Sequence, residues 1–324
     1  GDTGTGRSSY VRDYLKSEAK RQSTPDIWCY VNNFNNPREP RSVSLHPHEA
    51  GEFKKLINEL IDQLLASFPA VLEHPTYQQK KSAIDYIFNR RYDKAIETVE
   101  REAHKRNVAV YRDSNAISFT PMREGKALDE TEFAQLTEEE RDTFHDTIGE
   151  LEHMLSEQLA ELPQWKRESS NELRSLNKVT IRDAVAPLLV PTREAFKDHE
   201  PIQEYLNEME EHLPSLVLEE LVEERIMDLR EEYAKRSSLE DSLLPNIATH
   251  HKPDSGAPVI YEPHPSYANL VGRIEYVSDQ GALVTNYQRI APGALHKANG
   301  GYLILDAEKV LAEPMVWDVL KRAL

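Results

Sequence analysis

Cysteine is nearly absent from this chain. Cys29 stands alone among 324 residues, which excludes an internal disulfide and suits a reducing compartment, so the cytoplasm is the expected location. Positive charge is also short: Lys and Arg total 39 against 56 Asp and Glu, a net charge of −17. Neither a nucleic-acid backbone nor an anionic membrane is therefore expected as the main partner. Long hydrophobic runs are missing. No stretch nears the roughly 18 apolar residues of a membrane span, and no signal-peptide pattern opens the chain. Glycine is scarce, 12 in all, yet three stand within the first six residues. With 29% charged residues, the profile is that of a helix-rich chain with charged outer faces.

What is present starts with those glycines. Gly1-Asp2-Thr3-Gly4-Thr5-Gly6-Arg7-Ser8 has the spacing of a phosphate-binding loop, with Arg7 where lysine is usual. At the other end, Gly300-Gly301-Tyr302-Leu303-Ile304-Leu305-Asp306 reads as a Gly-Gly turn, a strand buried on both faces and an acid at its carboxyl end. That end is where ligands bind in open α/β sheets. A phosphate cradle and an acid able to hold Mg²⁺ are two halves of a nucleotide site, and almost everything between them is insertion. A P-loop ordinarily follows a buried strand, whereas this sequence starts on the loop, which predicts a fragment of a longer protein.

Periodicity divides the rest. Ser8 to about Arg21 predicts the helix whose amides face the phosphate, and Ile27 to Val31 the next core strand. Residues 1–46 are assigned to the first part of the core. Phe53, Leu56, Ile57, Leu60, Ile61, Leu64, Leu65 and Phe68 mark an amphipathic helix ending at Pro69. A second helix is predicted over 76–106, and a β-hairpin over 108–111 and 116–119. Thr137 to Glu140 is a capping box. It opens a helix whose seam through Phe144, Ile148, Leu151, Leu155, Leu159 and Leu162 is heptad-like, as in a long paired helix. Further helices are predicted to break at Pro187, Pro191 and Pro214, with one more over 216–233. Residues 47–236 thus read as a helical arm and 237–257 as its return linker. The second part of the core, 258–324, holds a hairpin around Gln280-Gly281, a short helix at 294–298, the strand before Asp306 and a closing helix after Pro314.

Three stretches carry a family resemblance: Trp28 to Phe34, His264 to Tyr276 and Gly293 to Tyr302. They resemble the AAA+ module of Lon-like proteases, in the branch with a long helical insertion between the Walker motifs. The fold class this implies is an incomplete α/β P-loop (AAA+-like) core with a large, mainly α-helical, coiled-coil-like insertion and small β-hairpins. The resemblance implies ATP or ADP with Mg²⁺ as the cofactor. Gly1, Thr3, Gly4, Thr5 and Gly6 would be the phosphate cradle, Arg7 its cation, and Ser8 with Asp306 the Mg²⁺ partners. It also implies polypeptide substrates and a homo-oligomeric ring, a hexamer, for the parent protein. Two departures stand out. Arg7 replaces a point charge by a planar fork, and Ala307 occupies the place of the water-orienting glutamate. Glu308 follows, and on a continuing strand would face the opposite side. The family's Ser-Lys protease dyad and arginine finger have no counterpart in residues 1–324, so no catalytic residue is assigned.

The expected function is gating or delivery of polypeptides to a Ser-Lys protease domain, with a degenerate nucleotide site that binds weakly or not at all. Two alternatives stand beside it, an active ATPase motor and an interaction scaffold with a vestigial P-loop. His46-Pro47-His48 and His250-His251 lack the Cys neighbours or the helical spacing of a metal site. The acidic runs 138–140 and 219–224 read as solvated helix faces. Tyr276, Leu283 and Tyr287 suit either a grip on unfolded polypeptide or packing of their own hairpin.

Overall fold

A computed structural model describes residues 6–112, 117–123, 125–218, 229–279 and 281–323. The chain forms two compact units, one of residues up to Val71 and from Ile181 on, the other Leu72–Thr180. No helix among the described residues is long and apolar enough to cross a membrane.

In chain order the first unit begins with α1 (Arg7–Ala19), β1 (Ile27–Val31), β2 (Arg41–Leu45) and α2 (Glu49–Glu73). The second contains α3 (Pro75–Lys105), β3 (Val108–Arg112), β4 (Ile117–Arg123), β5 (Lys126–Ala127), α4 (Glu130–Ala134), α5 (Glu138–Gln158) and the start of α6 (Leu162–Ala195). The first unit resumes along α6 and adds α7 (Glu200–Val217), α8 (Leu229–Leu243) and β6 (Asn246–Ile247). Then come β7 (Val259–Glu262), α9 (Tyr267–Val271), β8 (Gly272–Ile274), β9 (Val277–Asp279) and β10 (Ala282–Val284). The chain continues through β11 (Ile290–Pro292), α10 (Ala294–Lys297), β12 (Tyr302–Leu305), α11 (Ala307–Ala312) and α12 (Val316–Ala323).

Within the first unit, β1 does not join the strand that ends at Asp306. It is the centre of an antiparallel sheet ordered β2-β1-β6, with Cys29 opposite Val43 and Ile247. Alternation decides its faces. Ile27, Cys29, Val31, Val43 and Leu45 point into the main core, against Phe53, Ile57 and Ile61 of α2 and Ile202, Tyr205 and Met209 of α7. The cluster also takes in Ile181, Val185 and Leu189 of α6, and Leu239 and Leu243 of α8. Residues 237–257, expected as a linker, therefore supply core at Leu239 and Leu243 and the strand β6. The boundary drawn after residue 46 likewise falls inside one continuous core.

The true seam of the insertion lies elsewhere. The Ala257 amide donates to the Ala19 carbonyl at 3.0 Å, and the Gly256 amide to Thr24 Oγ1 at 3.0 Å. Residues 20 to 256 thus leave and return at one point. Gly256 has φ of +79°, and a Cβ there would lie 2.3 Å from the Ala19 carbonyl oxygen, so only glycine closes this seam without a shift.

Three expected prolines do not break helices. α6 runs through Pro187 and Pro191, and α7 through Pro214. Pro187 and Pro191 are one turn apart on the exposed face, while Val185, Leu189 and Thr192 are buried. The carbonyls they leave unpaired therefore face water. α2 also continues past residue 69 to Glu73.

The second unit is built on α3 and α5. Leu151, from the seam read as heptad-like, is buried with Ala103 and Val108, and Phe144 packs beside them. Thr137 caps α5 in the expected capping box, and Asp129 forms another on α4. The predicted hairpin is present as β3–β4, Val110 opposite Phe119, its turn outside the described residues. Arg112 ties it down through Glu100 at 2.8 Å and Asp93 at 3.1 Å.

Candidate nucleotide and polypeptide site

The core strands β7 and β12 form a parallel pair with Ile304 opposite Tyr261 and Leu305 opposite Glu262. Gly301 immediately precedes β12, against Pro258. A Cβ on it would meet the Pro258 carbonyl oxygen at 2.2 Å, the same oxygen that accepts from the Tyr302 amide at 2.8 Å. β12 is half-buried along its length and not covered on both faces as expected. Among the described residues it pairs with β7 alone.

α1 runs antiparallel to this pair. Its last residue, Ala19, bonds Ala257, two residues before β7, and Gln22 Nε2 donates to the Tyr302 hydroxyl at 2.8 Å. Seven residues before Ala19, the Arg12 guanidinium lies over the Tyr261 ring, 4.4 Å from its centroid. From Arg12 to Gly6 the helix advances about 9 Å, and from Ile304 to Asp306 the strand advances about 7 Å. The N-terminus of α1 and Asp306 therefore approach the same, carboxyl end of the pair. Gly6 caps α1 at φ of +70°, accepting from the Tyr10 amide at 3.0 Å, and Arg7 and Ser8 open its first turn. Gly1, Thr3, Gly4 and Thr5 lie outside the described residues.

Asp306 is exposed, and its carboxylate is occupied. It is the N-cap of α11, accepting from the Glu308 amide at 3.1 Å. Ala307 and Glu308 lie in the first helical turn, so Glu308 is displaced by helix geometry and not by strand alternation as the sequence suggested. Sequence reasoning missed Glu262, which ends β7 beside Leu305 and whose Oε1 accepts from the His264 amide at 2.8 Å. It also missed Lys309, whose Nζ donates to the Pro263 carbonyl at 2.8 Å. An acid in the last position of the strand register was the available signal for Glu262. Among the described residues no group of three His, Cys, Asp or Glu could hold a metal ion. His46 and His48 stack on each other at 5.4 Å. His251 has its imidazole pKa lowered by burial first and by His250 second.

Before β12 stands an apolar hairpin. β9 pairs with β10, Leu283 opposite Ser278, while Gln280 of the expected Gln280-Gly281 turn lies outside the described residues. β8 and β11 form its base, Ile274 opposite Ile290, and Thr285 Oγ1 donates to the Glu275 carbonyl at 2.8 Å. Ile274, Tyr276, Val277, Leu283 and Val284 are all exposed, Leu283 at 75%. Tyr287 differs. It is buried, and its hydroxyl donates to the Leu244 carbonyl at 2.8 Å, with its acidity suppressed by burial. Of the three aromatic or aliphatic residues singled out, Tyr287 is core while Tyr276 and Leu283 are not.

No curated protein matches this chain. Residues 255–324 match the family model described as "LonB-like, AAA domain", and residues 27–60 match "Lon-like LonC helical domain". The first begins at the seam where the insertion returns to α1. The second covers β1, β2 and the first turns of α2, inside the insertion. The second match ends within α2, and together the two give the chain its Lon-like protease resemblance, an AAA-type segment and a Lon-like helical one.

Proposed function

We propose that this chain is the polypeptide-handling part of a Lon-like protease. It gates or delivers unfolded segments to a Ser-Lys protease domain and works within a homo-oligomeric ring. The observation that carries this reading is the exposed apolar hairpin β9–β10, fixed at its base by the β8–β11 ladder. Apolar residues in such a contiguous exposed group are a common mark of protein contact, and extended chain adds readily to strand edges. The nucleotide site is a remnant: α1 and Asp306 share one end of the parallel pair, yet Asp306 serves as a helix cap and Ala307 brings no carboxylate. ATP or ADP with Mg²⁺ binds weakly or not at all.

The test is binding of a permanently unfolded, dye-labelled polypeptide to the full chain by fluorescence anisotropy. Tyr276→Ser with Leu283→Ser should weaken binding at least tenfold with an unchanged melting temperature. Undiminished binding by that variant would remove the hairpin from the function.

A further inference from the structure

Between the outward face of the β2–β1–β6 sheet and helices α9, α10 and α12 lies a cleft of about 670 Å³, a size suited to a small ligand or one or two peptide residues. Strand alternation supplies one wall. Because Cys29 and Val31 face the core, Trp28 and Tyr30 face the cleft. Tyr267 of α9 and Leu295 of α10 add apolar surface, and Trp28 and Tyr267 stay 40% and 50% exposed at its rim. Ser42, Thr249 and Asn299 add polar surface, and two ionisable groups join them. Arg322 lies on α12, and His296 on α10 has an enclosed Nδ1 without a hydrogen-bond partner among the described residues. Asp318, one turn before Arg322, gives its carboxylate to Lys321 Nζ at 2.7 Å.

We propose that this cleft binds the carboxyl-terminal residue of a polypeptide, its apolar side chain against the aromatic wall and its α-carboxylate on Arg322. A guanidinium presents paired N–H donors matched to a carboxylate, and Arg322 is exposed at the edge of the aromatic wall, open to such a ligand. The exposed rim lets the rest of the ligand's main chain leave towards solvent, which a free small acid would not require. The proposal rests on the polypeptide-handling reading and specifies which end of the substrate is recognised.

The probe is a dye-labelled decapeptide ending in Leu-Phe with a free carboxylate, compared with the same peptide amidated, both titrated against the full chain. Amidation should weaken binding about tenfold or more. Arg322→Gln should do the same to the free-acid peptide and leave the two peptides indistinguishable, the signature of a direct pair. Arg322→Lys should restore part of the preference. Tyr267→Ala should weaken both peptides while keeping the preference. Equal binding of acid and amide by the unmodified chain would overturn the proposal, as would N-acetylphenylalanine competing at the peptide's own concentration. The Tyr276→Ser, Leu283→Ser variant separates the two readings. If it keeps the acid preference but loses unfolded polypeptide, the cleft stands. If the unmodified chain binds unfolded polypeptide with no acid preference, the cleft alone is refuted. If it binds neither peptide nor unfolded polypeptide, the underlying reading fails as well.

Discussion

Gly256→Ala tests whether the insertion is closed at a single seam. The native backbone there has φ of +79°, a conformation costing a residue with a Cβ about 1–2 kcal/mol. The new Cβ would also sit 2.3 Å from the Ala19 carbonyl oxygen and 2.9 Å from Lys20 Cα. Both are backbone atoms, so no side chain can swing away. Relief requires the two segments to part, which weakens the 257-to-19 and 256-to-24 hydrogen bonds, each contributing about 0.5–1.5 kcal/mol. The sum is about 2–5 kcal/mol, a large share of the 5–15 kcal/mol typical of a folded domain. Urea unfolding followed by circular dichroism measures it. Gly51→Ala is the control, because Gly51 lies inside α2 with nothing within 4 Å of its Cβ position. It should be neutral or stabilising by up to about 1 kcal/mol. If Gly256→Ala unfolds within about 0.5 kcal/mol of the parent chain, the seam is not a tight junction and the division of the fold proposed from it is wrong.

Phe53→Ala should cost about 3–5 kcal/mol, since the ring is fully buried and packs edge-on to Phe196 and Tyr205; a loss below 1 kcal/mol in urea unfolding would contradict the placement of α2. His251 has its folded-state pKa lowered by burial, so the unfolded chain binds more protons and the His251 contribution is present above about pH 6.5 and lost as pH falls below it. Melting temperatures at pH 7.5 and 5.5 should differ less in His251→Gln than in the parent. Cys29 has its thiol pKa pushed up to about 12 by burial, so thiol-reactive dye should label it only after unfolding; stoichiometric labelling of the native chain at pH 8 would refute its core position. Addition of Mg-ATP should raise the melting temperature by little or nothing, and phosphate release should be undetectable. Ala307 brings no group to orient water, a role worth roughly 10²–10⁴-fold. Turnover abolished by Asp306→Ala would instead establish a motor.

Helices were legible because their apolar residues recur every three or four positions, and the capping box at Thr137 carries the local chemistry of a helix start. Prolines misled for a reason that local reading cannot supply. A proline's cost inside a helix depends on where the freed carbonyl points, and at Pro187 and Pro191 it points to water while Val185 and Leu189 hold the helix to the core. The main core does not divide after residues 46 and 236, for a related reason. Ile27 to Val31 reads as a buried strand in either sheet, and nothing within those five residues says whether the partner is β12, far along the chain, or Val43 and Ile247. Strand pairing is a non-local property, and a sequence read segment by segment does not contain it.

The candidate site shows the same limit at closer range. Composition and spacing bring out Gly6 and Asp306, and the fold does aim α1 and β12 at one end of a parallel pair. What a strand-end carboxylate does depends on the next three residues: a continuing strand would leave Asp306 open to a metal, whereas a helix starting at Ala307 offers it the Glu308 amide. A metal ion bound there would have to compete with, or share, that cap, whose loss costs roughly 0.5–2 kcal/mol. The exposed hairpin presents the opposite case. Tyr276, Leu283 and Tyr287 are similar in the sequence, and only burial and the hydroxyl of Tyr287 reaching Leu244 separate the residue that holds the hairpin to the fold from the two left exposed.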